Sequence, residues 1–138
     1  MTGLIVCLAV LALAGAFGMV HSGRNGRMTV SGRDAKEMLT AEEVGAGRLG
    51  ERATLVQFSS AFCQPCRATR RILAEVSELV EGVAHVEVDA ESRLDLVRRL
   101  RIMRTPTVLV LDARGRIVRR ASGLPRKADV IAAIGEAV

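Results

Sequence analysis

The sequence contains no tryptophan, no tyrosine and only three phenylalanines. A hydrophobic core must therefore be assembled from Leu, Val, Ile and Ala. The arginines have no aromatic stacking platform beside them, which argues against a module for single-stranded nucleic acid. Cysteine is also scarce, with three residues. That is too few for a disulfide-stapled scaffold, and the count alone does not fix the redox compartment. No glycine-rich phosphate loop, no Ser-His-Asp set and no carboxylate pair stands out. The lone strand histidine, His85, has no second ligand with which to hold a metal. Basic residues are plentiful. Lys and Arg total 20 against 15 Asp and Glu, giving a net charge of +5 over 138 residues. Such a surface suits anionic lipid or acidic partners. The length allows one domain of ordinary size.

Two of the three cysteines lie in Phe62-Cys63-Gln64-Pro65-Cys66, directly after the apolar run Thr54 to Phe58 and before a helix-like pattern from Arg67 to Glu81. A C-x-x-C pair at a strand-to-helix junction has a chemical meaning. Unpaired backbone N–H groups and the positive end of the helix dipole gather at a helix N-terminus, and both favour a thiolate over a thiol. The thiolate is the reactive species in disulfide exchange, so Cys63 is the expected nucleophile. Cys66, one turn later, is the expected resolving cysteine. Pro65 suits the first helical turn, where its missing N–H costs little.

The third cysteine, Cys7, lies in the uncharged run Gly3 to Val20. At ~1.5 Å rise per residue this run reaches about 27 Å, close to the hydrocarbon thickness of a bilayer. A retained membrane helix fits better than a cleaved signal, because no Lys or Arg precedes the run, although Ala12-Leu13-Ala14 resembles a cleavage site. Arg24, Arg27, Arg33 and Lys36 follow it closely, which favours the cytoplasmic side for the following domain, with the extracytoplasmic side as the alternative. Expected units are a transmembrane helix at 1–21, a linker at 22–39 and a globular domain at 40–138. Within the linker, Met28 to Val30 reads as a short edge strand. Thr40 and Glu43 have capping-box spacing and predict a short helix over Ala41 to Gly45.

From Ala53 onward the periodicity predicts strand 55–59, helix 67–81, strand 83–89 and helix 92–100. A strand at 107–111, a turn at 112–115, a returning strand at 116–120 and a final helix from Pro125 or Arg126 follow. Expected inward residues are Ala68, Ile72, Leu73, Val76, Leu79 and Val80 on the first of these helices. The second should bury Leu94, Val97 and Leu100, and the last Val130, Ile131, Ile134 and Val138. His85 falls on the polar side of its strand. Arg104 is expected beside the cysteines, and Arg116, Arg119 and Arg120 on the hairpin surface.

This order, with C-x-x-C at the first junction and Arg104-Thr105-Pro106-Thr107 before the third strand, resembles the thioredoxin superfamily. Gly115 and Gly123 also sit where that superfamily has glycines. The resemblance covers about residues 40 to 138. It implies a mixed central sheet flanked by helices, an α/β fold, and a thiol–disulfide oxidoreductase activity at Cys63 and Cys66 that needs no cofactor and no metal. It implies a cis bond at Thr105–Pro106 facing the cysteines. Partner proteins would be received by Phe62, Gln64, Pro65, Thr105 and Pro106. The implied partners are protein thiols and disulfides and an electron-donor or acceptor protein, with membrane lipid around the first helix and no nucleic acid. The sequence also departs from the pattern. Gln57 stands where a buried Asp is common, so proton transfer must use water or another group. Phe62 and Ser59 replace common tryptophans, and Arg71 replaces a helix-kinking proline. Family potentials span from about −270 to about −120 mV, so sequence does not choose reductant from oxidant. The competing class is a binding module on the same fold, tethered at the membrane, whose C-x-x-C is idle or holds a metal with a partner's ligands.

Overall fold

The computed structural model describes residues 1–138. It begins with a helix, α1, over Thr2–Arg24. At ~1.5 Å per residue its 23 residues extend about 35 Å. None of its residues is buried against the rest of the chain. It is long and apolar enough to cross a membrane, a property that a signal sequence shares.

The remaining elements are β1 (Ala53–Ser59), α2 (Gln64–Leu79), β2 (Val83–Asp89), α3 (Leu94–Arg99), β3 (Thr107–Asp112), β4 (Ile117–Ser122) and α4 (Lys127–Ala137). The strands form one sheet in the order β2-β1-β3-β4. β1 pairs parallel with β2 and antiparallel with β3, and β3 pairs antiparallel with β4. β1 and β3 are therefore central and buried on both faces, which is why both read as near-continuous apolar runs. The result is an α/β fold with a mixed sheet.

Side chains alternate across the sheet. Ala53, Leu55, Val108 and Val110 meet Leu73 and Val76 of α2 and Val130, Ala133 and Ile134 of α4 on one face. Val56, Phe58, Leu109 and Leu111 meet Leu96, Leu100, Ile102, Leu39 and Val44 on the other. Leu39 and Val44 come from the stretch between α1 and β1, so that stretch supplies core. It is docked along its length. Thr29 exchanges backbone hydrogen bonds with Arg120 at 2.7 Å each way, and Leu39 donates to the carbonyl of Gly115 at 2.8 Å. Asp34, in a 3-10 turn over Asp34–Lys36, holds the Arg120 guanidinium at 2.7 Å.

Several expected details change. The capping box forms: Thr40 N–H donates to Glu43 at 2.8 Å and Glu43 N–H to Thr40 Oγ1 at 3.2 Å. It closes one turn rather than starting a helix. Met28 to Val30 makes a single bridge to β4, not a strand. Helix α2 starts at Gln64, before Arg67, and buries Cys66, Thr69, Leu73 and Val76, while Leu79 is exposed at its last turn. In α3 the inward residue is Leu96, and Leu94 is exposed, because the helix has only 6 residues and its inner stripe runs Leu96 to Leu100. In α4 the buried stripe is Val130, Ala133 and Ile134; Ile131 and Val138 face outward. Ala133 completes the i, i+3, i+4 pattern, which the larger residues alone do not reveal.

Candidate active site

The C-terminal end of β1 and the N-terminal end of β3 meet at one end of the sheet, because the two strands are antiparallel neighbours. The loop leaving β1 carries the cysteines, and the loop entering β3 carries Thr105 and Pro106. The Thr105–Pro106 peptide bond is cis. The loops are tied together by Ser60 Oγ and Thr105 Oγ1, 2.8 Å apart. Thr107 Oγ1 closes the second loop on the Arg104 carbonyl at 2.6 Å.

Cys63 and Cys66 form a disulfide with Cα atoms 5.3 Å apart. Cys63 is the N-cap of α2, and its sulfur accepts the backbone N–H of Cys66 at 3.2 Å. Pro65 lies in the first turn, where no helical donor is lost. The two sulfurs differ in access: Cys66 is 2% exposed, whereas Cys63 is half-buried. Phe62, just before the pair, is fully exposed and has φ of 60°. A bulky residue rarely adopts that left-handed backbone. Gln64 and Pro65 are exposed beside it, Thr105 is half-buried and Pro106 is buried. All of the site residues expected from sequence thus fall on one end of the sheet.

The floor beneath the disulfide is Gln57, fully buried. Its Nε2 donates to the Cys66 carbonyl at 2.8 Å and to Ser59 Oγ at 2.9 Å. Its Oε1 meets His85 Nε2 at 3.2 Å. Each polar atom of the amide is thereby satisfied, as a buried amide requires. Sequence alone presents His85 as a polar strand residue without a partner; it is instead the one titratable side chain bonded to this floor. Burial pushes its pKa down, opposed by the Glu87 carboxylate and helped by the Arg70 guanidinium. Arg70 and Glu87 pair beside it at 2.7 and 2.8 Å.

Two expected placements need correction. Arg104 does not present its guanidinium to the cysteines. It donates to Asn25 Oδ1 at 2.8 Å and to the Ser122 carbonyl. Arg120 is not surface: it is largely buried with Asp34, and Arg119 reaches Glu136. Sequence reasoning also misses Ser60, which links the loops, and Met103, an almost fully exposed apolar side chain two residues before Thr105. The signal for Met103 is an apolar residue in a loop between arginines. Met103 belongs to a shallow apolar groove with Leu94, Val97 and Ile102 beside Thr105.

A redox-active C-x-x-C at the start of a helix, under a mixed sheet and beside a Thr-Pro loop, defines a thiol–disulfide oxidoreductase. The thioredoxin family model matches residues 36–136, and the chain belongs to the thioredoxin family. It is 31% identical over 100 residues to human thioredoxin domain-containing protein 2, covering 71% of this chain and 18% of that protein. The chain thus spans less than a fifth of that relative's length. It is 28% identical over 102 residues to thioredoxin of Pongo abelii, covering 74% of this chain and 95% of that one. Among solved structures it is similar to a single-site mutant thioredoxin of Halobacterium salinarum, with a TM-score of 0.58 and 18% identity over 63% of this chain and 75% of that one.

Proposed function

We propose that the protein is a membrane-tethered thioredoxin that exchanges disulfides with partner proteins, Cys63 attacking and Cys66 resolving. The observation that carries this is the unequal access of the two sulfurs, with Cys63 at the helix cap and Cys66 2% exposed. The helix N-terminus and the Cys66 N–H favour negative charge on Cys63. When the Cys63 thiolate attacks a partner disulfide, one partner sulfur leaves and takes a proton. Cys66 then displaces the second partner sulfur, the Cys63–Cys66 disulfide closes, and the partner leaves as a dithiol. Run backwards, the same steps oxidise a partner dithiol.

In this reading Phe62, Gln64, Pro65, Thr105 and Pro106 receive the partner's chain around its cysteine. Residues 1–21 are the membrane span, 22–39 connect it and 40–138 are the catalytic domain. The basic residues after the span favour a domain on the cytoplasmic face, exchanging electrons with a donor or acceptor protein there. The test is trapping in cells. Cys66→Ser should accumulate mixed disulfides with partner proteins, and Cys63→Ser should accumulate none. If neither variant traps a partner and the pair shows no reversible titration, the proposal fails. A thiol reagent that cannot cross membranes reports the side: labelling of Cys63 in intact, mildly reduced cells would place the domain outside.

A further inference from the structure

The end of α1 is fastened to the rim of the active site with no slack between them. Its last residue is Arg24, and Asn25 caps it. Asn25 Oδ1 accepts the Arg104 guanidinium at 2.8 Å, and the Gly26 N–H donates to the Ser122 carbonyl at 2.8 Å. Arg104 is joined directly to Thr105, whose hydroxyl meets Ser60 on the cysteine loop. Gly123 N–H, next after Ser122, donates to the Pro106 carbonyl at 2.7 Å. The fit is close. Gly26 is buried with φ +72°, and a Cβ there would collide with the Leu124 carbonyl oxygen. A Cβ at Gly123 would collide with Asn25 Oδ1. These contacts fall at the sheet end where β3 begins and β4 ends. The opposite end, with the Asp112–Gly115 turn and the last turn of α2, is a sheet's length away.

We propose that this docking holds the Cys63–Cys66 face at the bilayer surface, so that its partners are membrane proteins whose cysteines lie within or just above the lipid headgroup layer. The proposal rests on α1 being a retained span. Arg27 and Arg126 line a polar groove at the junction, Arg126 paired there with Asp129. With Arg24 at the end of α1 and Arg104 on Asn25 they leave it net basic, which suits an anionic headgroup layer. Phe62 and Met103 are exposed apolar side chains on the same end, suited to a partner that is itself partly immersed.

The test uses the full chain, reduced, freed of reductant and reconstituted in vesicles of mixed zwitterionic and anionic lipid. The probe is a lipid-anchored peptide carrying one disulfide, held either at headgroup height or on a rigid stalk roughly 40 Å long, the length of a helix of about 27 residues. In a single turnover each Cys63/Cys66 dithiol passes two electrons and two protons to one probe disulfide and becomes the disulfide itself. The low probe should react about tenfold faster than the raised one, as expected when one geometry is pre-arranged. A spacer of about a dozen Gly and Ser residues after Arg24, adding roughly 20 Å of flexible reach, should shrink that ratio to below about threefold. Vesicle flotation separates the outcomes. A native chain that floats but reacts equally at both heights overturns the proposal and leaves the tether standing. A chain that does not float removes the tether itself, and the proposal with it.

Discussion

The two faces of the sheet are covered in different ways. On one face two helices, α2 and α4, lay regular apolar stripes over Leu55, Val108 and Val110. On the other, the cover is the short helix α3 and an irregular segment that contributes Leu39 and Val44. That second cover is fastened by polar links: Arg99 bridges Glu37 and Glu43, and Asp34 bridges Arg120. The helix-covered face is also the one that carries Gln57, Cys66 and His85. Regular packing thus sits under the chemistry, where positions must be held, and adaptable packing sits away from it.

The contrast is sharpest in a pair of truncations. Leu73→Ala opens a cavity between α2 and two strands that cannot close over it, and should cost about 3–4 kcal/mol. Leu39→Ala lies on the irregular segment, whose turns can settle inward between their polar links further than a helix can, and should cost about 2 kcal/mol, because cavity cost depends on how far the surroundings relax. Denaturant unfolding of both variants measures the difference; equal losses would erase the distinction between the faces.

A second test addresses the polar floor. Gln57→Leu leaves the Ser59 hydroxyl and the His85 ring without their buried partner, and should destabilise by about 1–3 kcal/mol. Gln57→Glu keeps the shape and adds a titratable group. It should make the pH dependence of the Cys63–Cys66 reduction potential steeper near the pKa of the new carboxyl, while Gln57→Leu should not.

The smallest expected effect belongs to His85. Its folded-state pKa is lowered by burial, so the unfolded chain binds the proton more readily. Its contribution to stability is therefore complete above its unfolded value of about 6.5 and is lost as pH falls below that value through the folded one. The groups facing it are Gln57 on β1, Glu87 on β2 and Arg70 on α2. Melting temperatures measured between pH 8 and pH 5 should fall less for His85→Gln than for the native chain. An identical fall in both would show that burial does not lower the His85 pKa below its unfolded value.

Much of this arrangement is legible in the sequence because it is local. The C-x-x-C between a strand and a helix, the capping box and the Thr-Pro before β3 are short-range patterns, and the element order follows from periodicity. What stays hidden is register and long-range reach. His85 meets Gln57 because Leu55 pairs with His85 and Gln57 with Glu87 across a parallel ladder. No hairpin sets that register, so nothing near either residue announces the contact. Periodicity points Leu94 and Ile131 inward because large apolar residues dominate the pattern. The structure uses Leu96 and Ala133 instead, since short helices can present only one narrow stripe. Leu39 and Val44 stay hidden because isolated apolar residues in a glycine- and arginine-rich stretch carry no period.

The antiparallel pairing of β1 with β3 has a consequence for how the active site is kept whole. The loop bearing Cys63 and the loop bearing Pro106 are separated along the chain by α2, β2 and α3. Their distance in space is nevertheless fixed by the hydrogen bonds from Phe58–Thr107 back to Ala53–Asp112. Of the intervening polypeptide, only the start of α2, which carries both sulfurs, enters the gap between the sulfurs and the proline. Length added at the Glu81–Gly82 turn, at the far end of the sheet, leaves both halves gripped by the same ladder. The reactive end therefore behaves as a clamp whose opening is set at the two central strands, so that a turn at the far end can grow without widening it.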